Sequence, residues 1–206
     1  MKTILFQGDS ITDACRSRDD DLYLGHGYAT MVKGEIGLDY PNQYNFLNRG
    51  ISGNRIVDLY SRIKYDIINL KPDVMSILIG INDVWHEINF ENGVEAEKFF
   101  KIYDMLIEEI KEALPDIKIM LLEPFVLKAK ATEAAWDTFK SETEKRAEKV
   151  RELSEKHNLV FVPLQEKFDE AAKTAPNDYW LYDGVHPTSC GHEIIKREWV
   201  KAFKSL

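Results

Sequence analysis

The feature that most constrains this chain is a rhythm of short apolar runs separated by longer amphipathic ones. The apolar runs are Thr3–Phe6, Tyr44–Leu47, Val74–Ile79, Ile117–Leu122 and Leu159–Val162. Between them the spacing predicts helices over Gly27–Leu38, Ile56–Leu70, Val94–Leu114 and Ala131–His157. A short helix follows the fifth run, then an aromatic loop and a last helix over Ser189–Lys204. The second helix shows the pattern plainly, with Ile56, Leu59, Tyr60, Ile63, Ile67 and Leu70 on one face. Five apolar strands alternating with helices predict a parallel sheet covered on both faces. Right-handed crossovers then make a doubly wound, three-layer α/β/α sandwich with a five-stranded parallel sheet. No linker, repeat or low-complexity segment interrupts the 206 residues, so one domain over 1–206 is the expectation.

Charge and cysteine content narrow the function classes. The net charge is −8, from 27 basic and 35 acidic residues, which argues against a nucleic-acid or anionic-membrane surface. Cys15 and Cys190 are the only cysteines. With no Cys-x-x-Cys pair they read as reduced thiols rather than a disulfide framework or a zinc site. The first apolar run is too short for a signal peptide, and no stretch approaches a membrane span. These readings predict a cytoplasmic protein. The run Asp19-Asp20-Asp21 lacks the spacing of a calcium loop and reads as solvated surface.

In open parallel sheets ligands bind at the carboxyl ends of the strands. Four segments should meet there: Gly8-Asp9-Ser10-Ile11-Thr12, Asn48 to Asn54, Gly80-Ile81-Asn82-Asp83, and Asp183-Gly184-Val185-His186-Pro187 before the last helix. Ser10 alone reads as a helix cap in a strand-to-helix turn. As a nucleophile it would need a base within hydrogen-bond reach. Of five histidines, His157 falls late in a charged helix and reads as surface. His186 has Asp183 three residues before it, a spacing that lets a carboxylate fold back and fix the imidazole tautomer. An acyl-transfer site also needs donors aimed at the developing oxyanion. The Ser10 backbone N–H, Gly53, and the Asn82 amide are the candidates. Singly, Gly53 and Asn82 read equally well as turn residues. Together the four segments supply the parts of an acyl-transfer site.

The chain has no Gly-x-Ser-x-Gly elbow and no phosphate-binding glycine loop. The four blocks, in this order and spanning nearly the whole chain, resemble the SGNH, or GDSL-type, serine hydrolases. Ile11 stands where the family name implies Leu. The resemblance implies a flavodoxin-like sandwich and neither metal nor organic cofactor. It implies Ser10 as nucleophile and oxyanion donor, Gly53 and Asn82 as further donors, and Asp183 and His186 as the remaining triad members. Within the family, Gly25 to Tyr28, Arg49 to Asp58, Ile79 to Trp85 and Val185 to His192 are similar to bacterial cytoplasmic acetylxylan esterases. That similarity implies a small-molecule ester as partner, an acetylated sugar such as an acetylated xylo-oligosaccharide. Asp9, Trp85 and Tyr182 are the candidate pocket residues, because aromatic faces suit sugar rings and exclude water. The same site also suits a thioesterase, lysophospholipase or acyltransferase. A non-catalytic carbohydrate-binding protein on the same fold is a third reading, opposed by the complete set of site residues. Trp136 and Trp199 are candidates for either core packing or a homo-oligomer contact.

Overall fold

The computed structural model describes all 206 residues. The strands are β1 (Lys2–Gly8), β2 (Tyr44–Asn48), β3 (Val74–Leu78), β4 (Lys118–Leu122) and β5 (Val160–Val162). They form one parallel sheet in the order β2-β1-β3-β4-β5. This is the flavodoxin-like order, and its switch point falls between β1 and β3. The helices are α1 (Ser10–Asp13), α2 (Tyr28–Asp39), α3 (Ile56–Ser61), α4 (Ile63–Asp66), α5 (Ile81–Phe90), α6 (Ala96–Ala113), α7 (Trp136–His157), α8 (Gln165–Ala172), α9 (Asn177–Trp180) and α10 (Ser189–Phe203). No helix is long and apolar enough to cross a membrane.

Alternation along the strands divides the core into two layers. Ile4 and Phe6 of β1 join Met120 and Leu122 of β4 on one face, against Val32 and Ile36 of α2, Phe168 of α8, and Ile195 and Trp199 of α10. Leu5, Met75, Ile77, Ile119 and Leu121 point the other way, against Ile56 and Leu59 of α3, Phe99 and Leu106 of α6, and Val150 and Leu153 of α7. Both faces are therefore apolar, which is why the strands read as continuous hydrophobic runs.

Three departures from the sequence reading concern the helices. The stretch Ile56–Leu70 is not one helix. It breaks at Arg62, giving α3, α4 and a 3₁₀ turn at Ile68–Leu70. Arg62 turns inward at the break, bonding the Arg49 carbonyl, Asn54 Oδ1 and Asp66 Oδ2 at 2.9 Å each. Ile56, Leu59, Ile63 and Ile67 stay on one buried face throughout, so the apolar period carries no trace of the break. The long charged helix starts at Trp136 rather than Ala131, after a 3₁₀ turn at Glu133–Ala135. Finally, Ile81–Phe90 continues from the strand-end block as a helix that the sequence reading left unassigned.

Trp199 is fully buried, with its ring 5.4 Å from Phe6 and stacked at 5.2 Å on Phe203. It belongs to the core and offers no surface for a subunit contact. Trp199→Ala should lower unfolding stability by about 3–5 kcal/mol, the usual cost of emptying a large aromatic site. Urea denaturation measures this directly.

Candidate active site

The parallel register brings the first three strand ends to one level. Phe6 lies opposite Asn48 of β2, and Gly8 lies opposite Leu78 of β3. The chain therefore leaves β1 into Ser10, β2 into the 49–54 loop, and β3 into Asn82 at a single rim.

Asp9 ends the turn out of β1, and its Oδ1 accepts the Ile11 N–H at 2.9 Å. This caps α1 and leaves Ser10, the first helical residue, half-buried with its hydroxyl turned out. Ser10 Oγ lies 2.9 Å from His186 Nε2, and His186 Nδ1 lies 2.7 Å from Asp183 Oδ2. With the Nδ1 proton donated to the carboxylate, Nε2 is free to accept from the serine. Asp183 Oδ1 is used as well, accepting the backbone N–H of Val185 and His186 at 2.9 and 2.8 Å. The spacing of three arises from a tight turn, in which Leu181 bridges Pro187 and the Tyr182 N–H donates to the His186 carbonyl. Gly184 is required there: its φ is +100°, and an added Cβ would fall 2.5 Å from the Leu127 carbonyl oxygen and from Thr132 Oγ1. The Leu127 and Ala131 N–H groups bond the Gly184 and Asp183 carbonyls, so the segment after β4 seats this loop.

The electrostatics follow from these contacts. Burial works to lower the basicity of His186, but the hydrogen bond and charge of Asp183, with a contribution from Asp9, hold it above the ordinary histidine value. Burial works to raise Asp183. The side-chain bond from His186 and the two backbone donors outweigh burial and keep its carboxyl below the ordinary range. The pair is thus set to keep the aspartate ionised beside a histidine that can take a proton.

Gly53 stands at φ +82° with nothing within 4 Å of where a Cβ would be. The left-handed backbone favours glycine there, and the space beside its Cα is open. No protein acceptor takes the backbone N–H of Ser10 or of Gly53. The Asn82 amide donates to the Asn54 carbonyl at 3.1 Å, which fixes its plane and leaves its second proton available. The loop carrying Gly53 is pinned from several directions. Asp83 accepts the Ile56 N–H, Asp13 Oδ2 accepts both the N–H and Oγ–H of Ser52, and Asn48 Oδ1 accepts the Gly50 N–H. Asn48 Nδ2 also donates to the Thr12 and Leu24 carbonyls, at 2.6 and 2.9 Å. The sequence reading gave Asp13, Asn48 and Asp83 no role. Each makes at least one contact with a residue remote in the chain, and no local pattern marks such partners.

Of the pocket candidates, Tyr182 stacks on His186 with centroids 5.6 Å apart and planes 17° apart. Trp85 approaches the same ring at 5.8 Å while packing edge-on to Phe139. Asp9 differs, because it is only 1% exposed and lies beneath Ser10, where the α1 cap draws it inward. It is a buried support rather than a pocket wall. His157, read as a surface residue, is largely covered: its side chain is 9% exposed and pairs with Asp104 at 2.6 Å. Asp104, Glu108 and His157 lie close enough to share a metal ion, but Lys156 already holds Asp104 at 2.5 Å, and the group reads as an ion-paired tie between α6 and α7.

The chain is similar to several known proteins. A GDSL-like lipase of Parabacteroides merdae is 36% identical, with a TM-score of 0.94 over 98% of this chain and 95% of that one. The acetylxylan esterase of Geobacillus stearothermophilus is 34% identical, covering 97% of this chain and 96% of that protein. Its crystal structure superposes with a TM-score of 0.87 over 98% of this chain and 93% of that one. Catalytic mutants of that enzyme replace a serine or an aspartate by alanine. An α/β hydrolase from the Lake Arreo metagenome is 27% identical with a TM-score of 0.88, covering 98% and 95% of the two chains. Residues 6–194 match the GDSL-like Lipase/Acylhydrolase family, and with a 34% identical relative over nearly its full length, this chain belongs to that family.

Proposed function

We propose that the protein is a serine carboxylesterase that removes short acyl groups, acetyl above all, from a carbohydrate such as an acetylated xylo-oligosaccharide. The observation that carries the reading is the unbroken hydrogen-bonded run from Ser10 through His186 to Asp183, set beside two unengaged backbone donors. In the first step Ser10 Oγ attacks the ester carbonyl and its proton passes to His186 Nε2. The carbonyl oxygen becomes an oxyanion held by the N–H groups of Ser10 and Gly53 and by the Asn82 amide. Asp183 stabilises the imidazolium and does not itself take the proton. His186 then gives the proton to the leaving sugar hydroxyl, and the acyl-enzyme forms. Water, deprotonated by the same histidine, releases acetate and restores Ser10.

The aromatic faces of Tyr182 and Trp85 beside His186 support a sugar as leaving group. The full-length relation to an acetylxylan esterase supports acetyl as the acyl group. A long-chain thioesterase or lysophospholipase would need apolar surface beyond the acyl carbon, and no contact described around Ser10 favours it.

Ser10→Ala should abolish acetate release from acetylated xylo-oligosaccharides while leaving the unfolding transition in place; turnover by that variant near the wild-type rate would reject the assignment. Across aryl esters of increasing acyl length, kcat/KM should be highest for acetyl and fall steadily. A maximum at eight or more carbons would reject the acetyl preference. Asp183→Asn removes the group that raises His186, so its imidazole should titrate at lower pH than in the wild type, as followed by NMR. Because the wrong tautomer is then favoured, kcat should drop roughly 10⁴-fold.

A further inference from the structure

Asp9 is more than the cap its position requires. Capping α1 uses only Oδ1, and an uncharged asparagine or serine would serve there equally. The second carboxyl oxygen, Oδ2, is buried and has no hydrogen-bond partner. No cationic side chain pairs with Asp9, although it directly precedes the serine. The ionisable groups that face it are Asp13 from α1, Tyr28 from α2, Asp83 from α5, and His186 from the C-terminal loop. Among all of these only His186 can become a cation, and it does so during the reaction derived above.

We propose that Asp9 is a positioning residue acting through His186: its buried carboxylate, next in the chain to Ser10, stabilises the imidazolium formed when Ser10 attacks. Asp183 holds Nδ1, and Ser10, bonded at Nε2, is the chain neighbour of Asp9. Two carboxylates thus act on the histidine, Asp183 through a hydrogen bond and Asp9 through charge alone. In the step itself the serine proton moves to Nε2 and Oγ bonds the acyl carbon, while Asp9 neither gains nor loses a proton. This inference rests on the esterase reading.

For Asp9 to act so it must be ionised. Burial drives its carboxyl up to about 7, against the pull of the Ile11 N–H and of His186, with Asp13 adding to the rise. Asp9 and His186, each shifted by the other's charge, titrate as a coupled pair, and the acid limb of activity belongs to the pair. Full activity needs His186 neutral and Asp9 charged, so the limb of kcat/KM should be steeper than a single proton allows. The same shift has a stability sign. A carboxyl raised in the fold favours the native state below its unfolded value, and that support is lost as pH rises through the folded value.

The test is the pH dependence of kcat/KM for Asp9→Asn, which keeps the acceptor for Ile11, and for Asp9→Ser, which keeps a cap without a carboxyl. In both, the plateau should fall about tenfold, equivalent to one pKa unit of lost interaction. The acid limb should become a single-proton curve and move to lower pH. A folded variant whose limb keeps the wild-type slope and position overturns the inference. Should neither variant fold, carboxyl and imidazole NMR titration of the wild type decides: Asp9 and His186 should each report the other's inflection, and independent curves overturn it. Ser10→Ala separates the two claims. An inactive Ser10→Ala beside an unmoved limb defeats only the role of Asp9, whereas turnover by Ser10→Ala defeats both.

Discussion

The site depends on the level at which β2, β1 and β3 stop pairing. Parallel strands in register end together, and the residues after them have nowhere to go but a common rim. The switch point makes this rim productive. The chain passes from β1 outward to β2 and returns to β3 on the other side, so Ser10 and Asn82 flank the gap where helices of opposite faces part. Sliding β1 by one residue would exchange Leu5 and Phe6 between the two core layers, each packed for a side chain of the other shape. The same apolar packing that fixes the core therefore fixes where Ser10 stands.

Backbone donors can stabilise an oxyanion only if they are held still before charge develops there. The 49–55 segment meets this need through polar contacts rather than regular structure. Asp13 of α1, Asn48 of β2, Arg62 at the α3–α4 break, and Asn82 and Asp83 of α5 reach this segment and its junction with α3. Most of these contacts are half or fully buried, where an unmade hydrogen bond costs about 1–3 kcal/mol. Losing any one would release the loop and strand a polar group as well. The break at Arg62 belongs to this set, since an unbroken helix would carry its guanidinium away from the loop.

The sheet, its neighbours on both faces and the four rim segments were legible in the sequence because each has a local signal. Apolar runs, helical spacing, and Asp-x-x-His within one loop all lie within a few residues. The resemblance then assigned roles that spacing alone left open. What was hidden was long-range. The inward turn of Arg62 leaves the apolar period intact. Asp83 stands next to Asn82 in an already noted block, yet its partner is the Ile56 amide. Asp9 read as a pocket residue because nothing in Gly-Asp-Ser shows that a cap would fold its side chain beneath the helix. Gly53 was noted as a donor position, and nothing in the sequence signalled that its backbone is left-handed, with φ +82°.

The seat of the Asp183–His186 loop, on the segment after β4 and against the start of α10, has a consequence in time. A ribosome delivers Ser10, the Gly53 loop and Asn82 early, and they can settle on β1, β2 and β3 while the rest of the chain is still being made. The base arrives among the last residues, and Gly184 must be pressed against Leu127 and Thr132 before it can face the serine. Until then Ser10 lacks the imidazole it bonds in the finished fold. On the proposed mechanism, reactivity is withheld from chains that lack the last loop, and it appears when the two ends of the polypeptide have met.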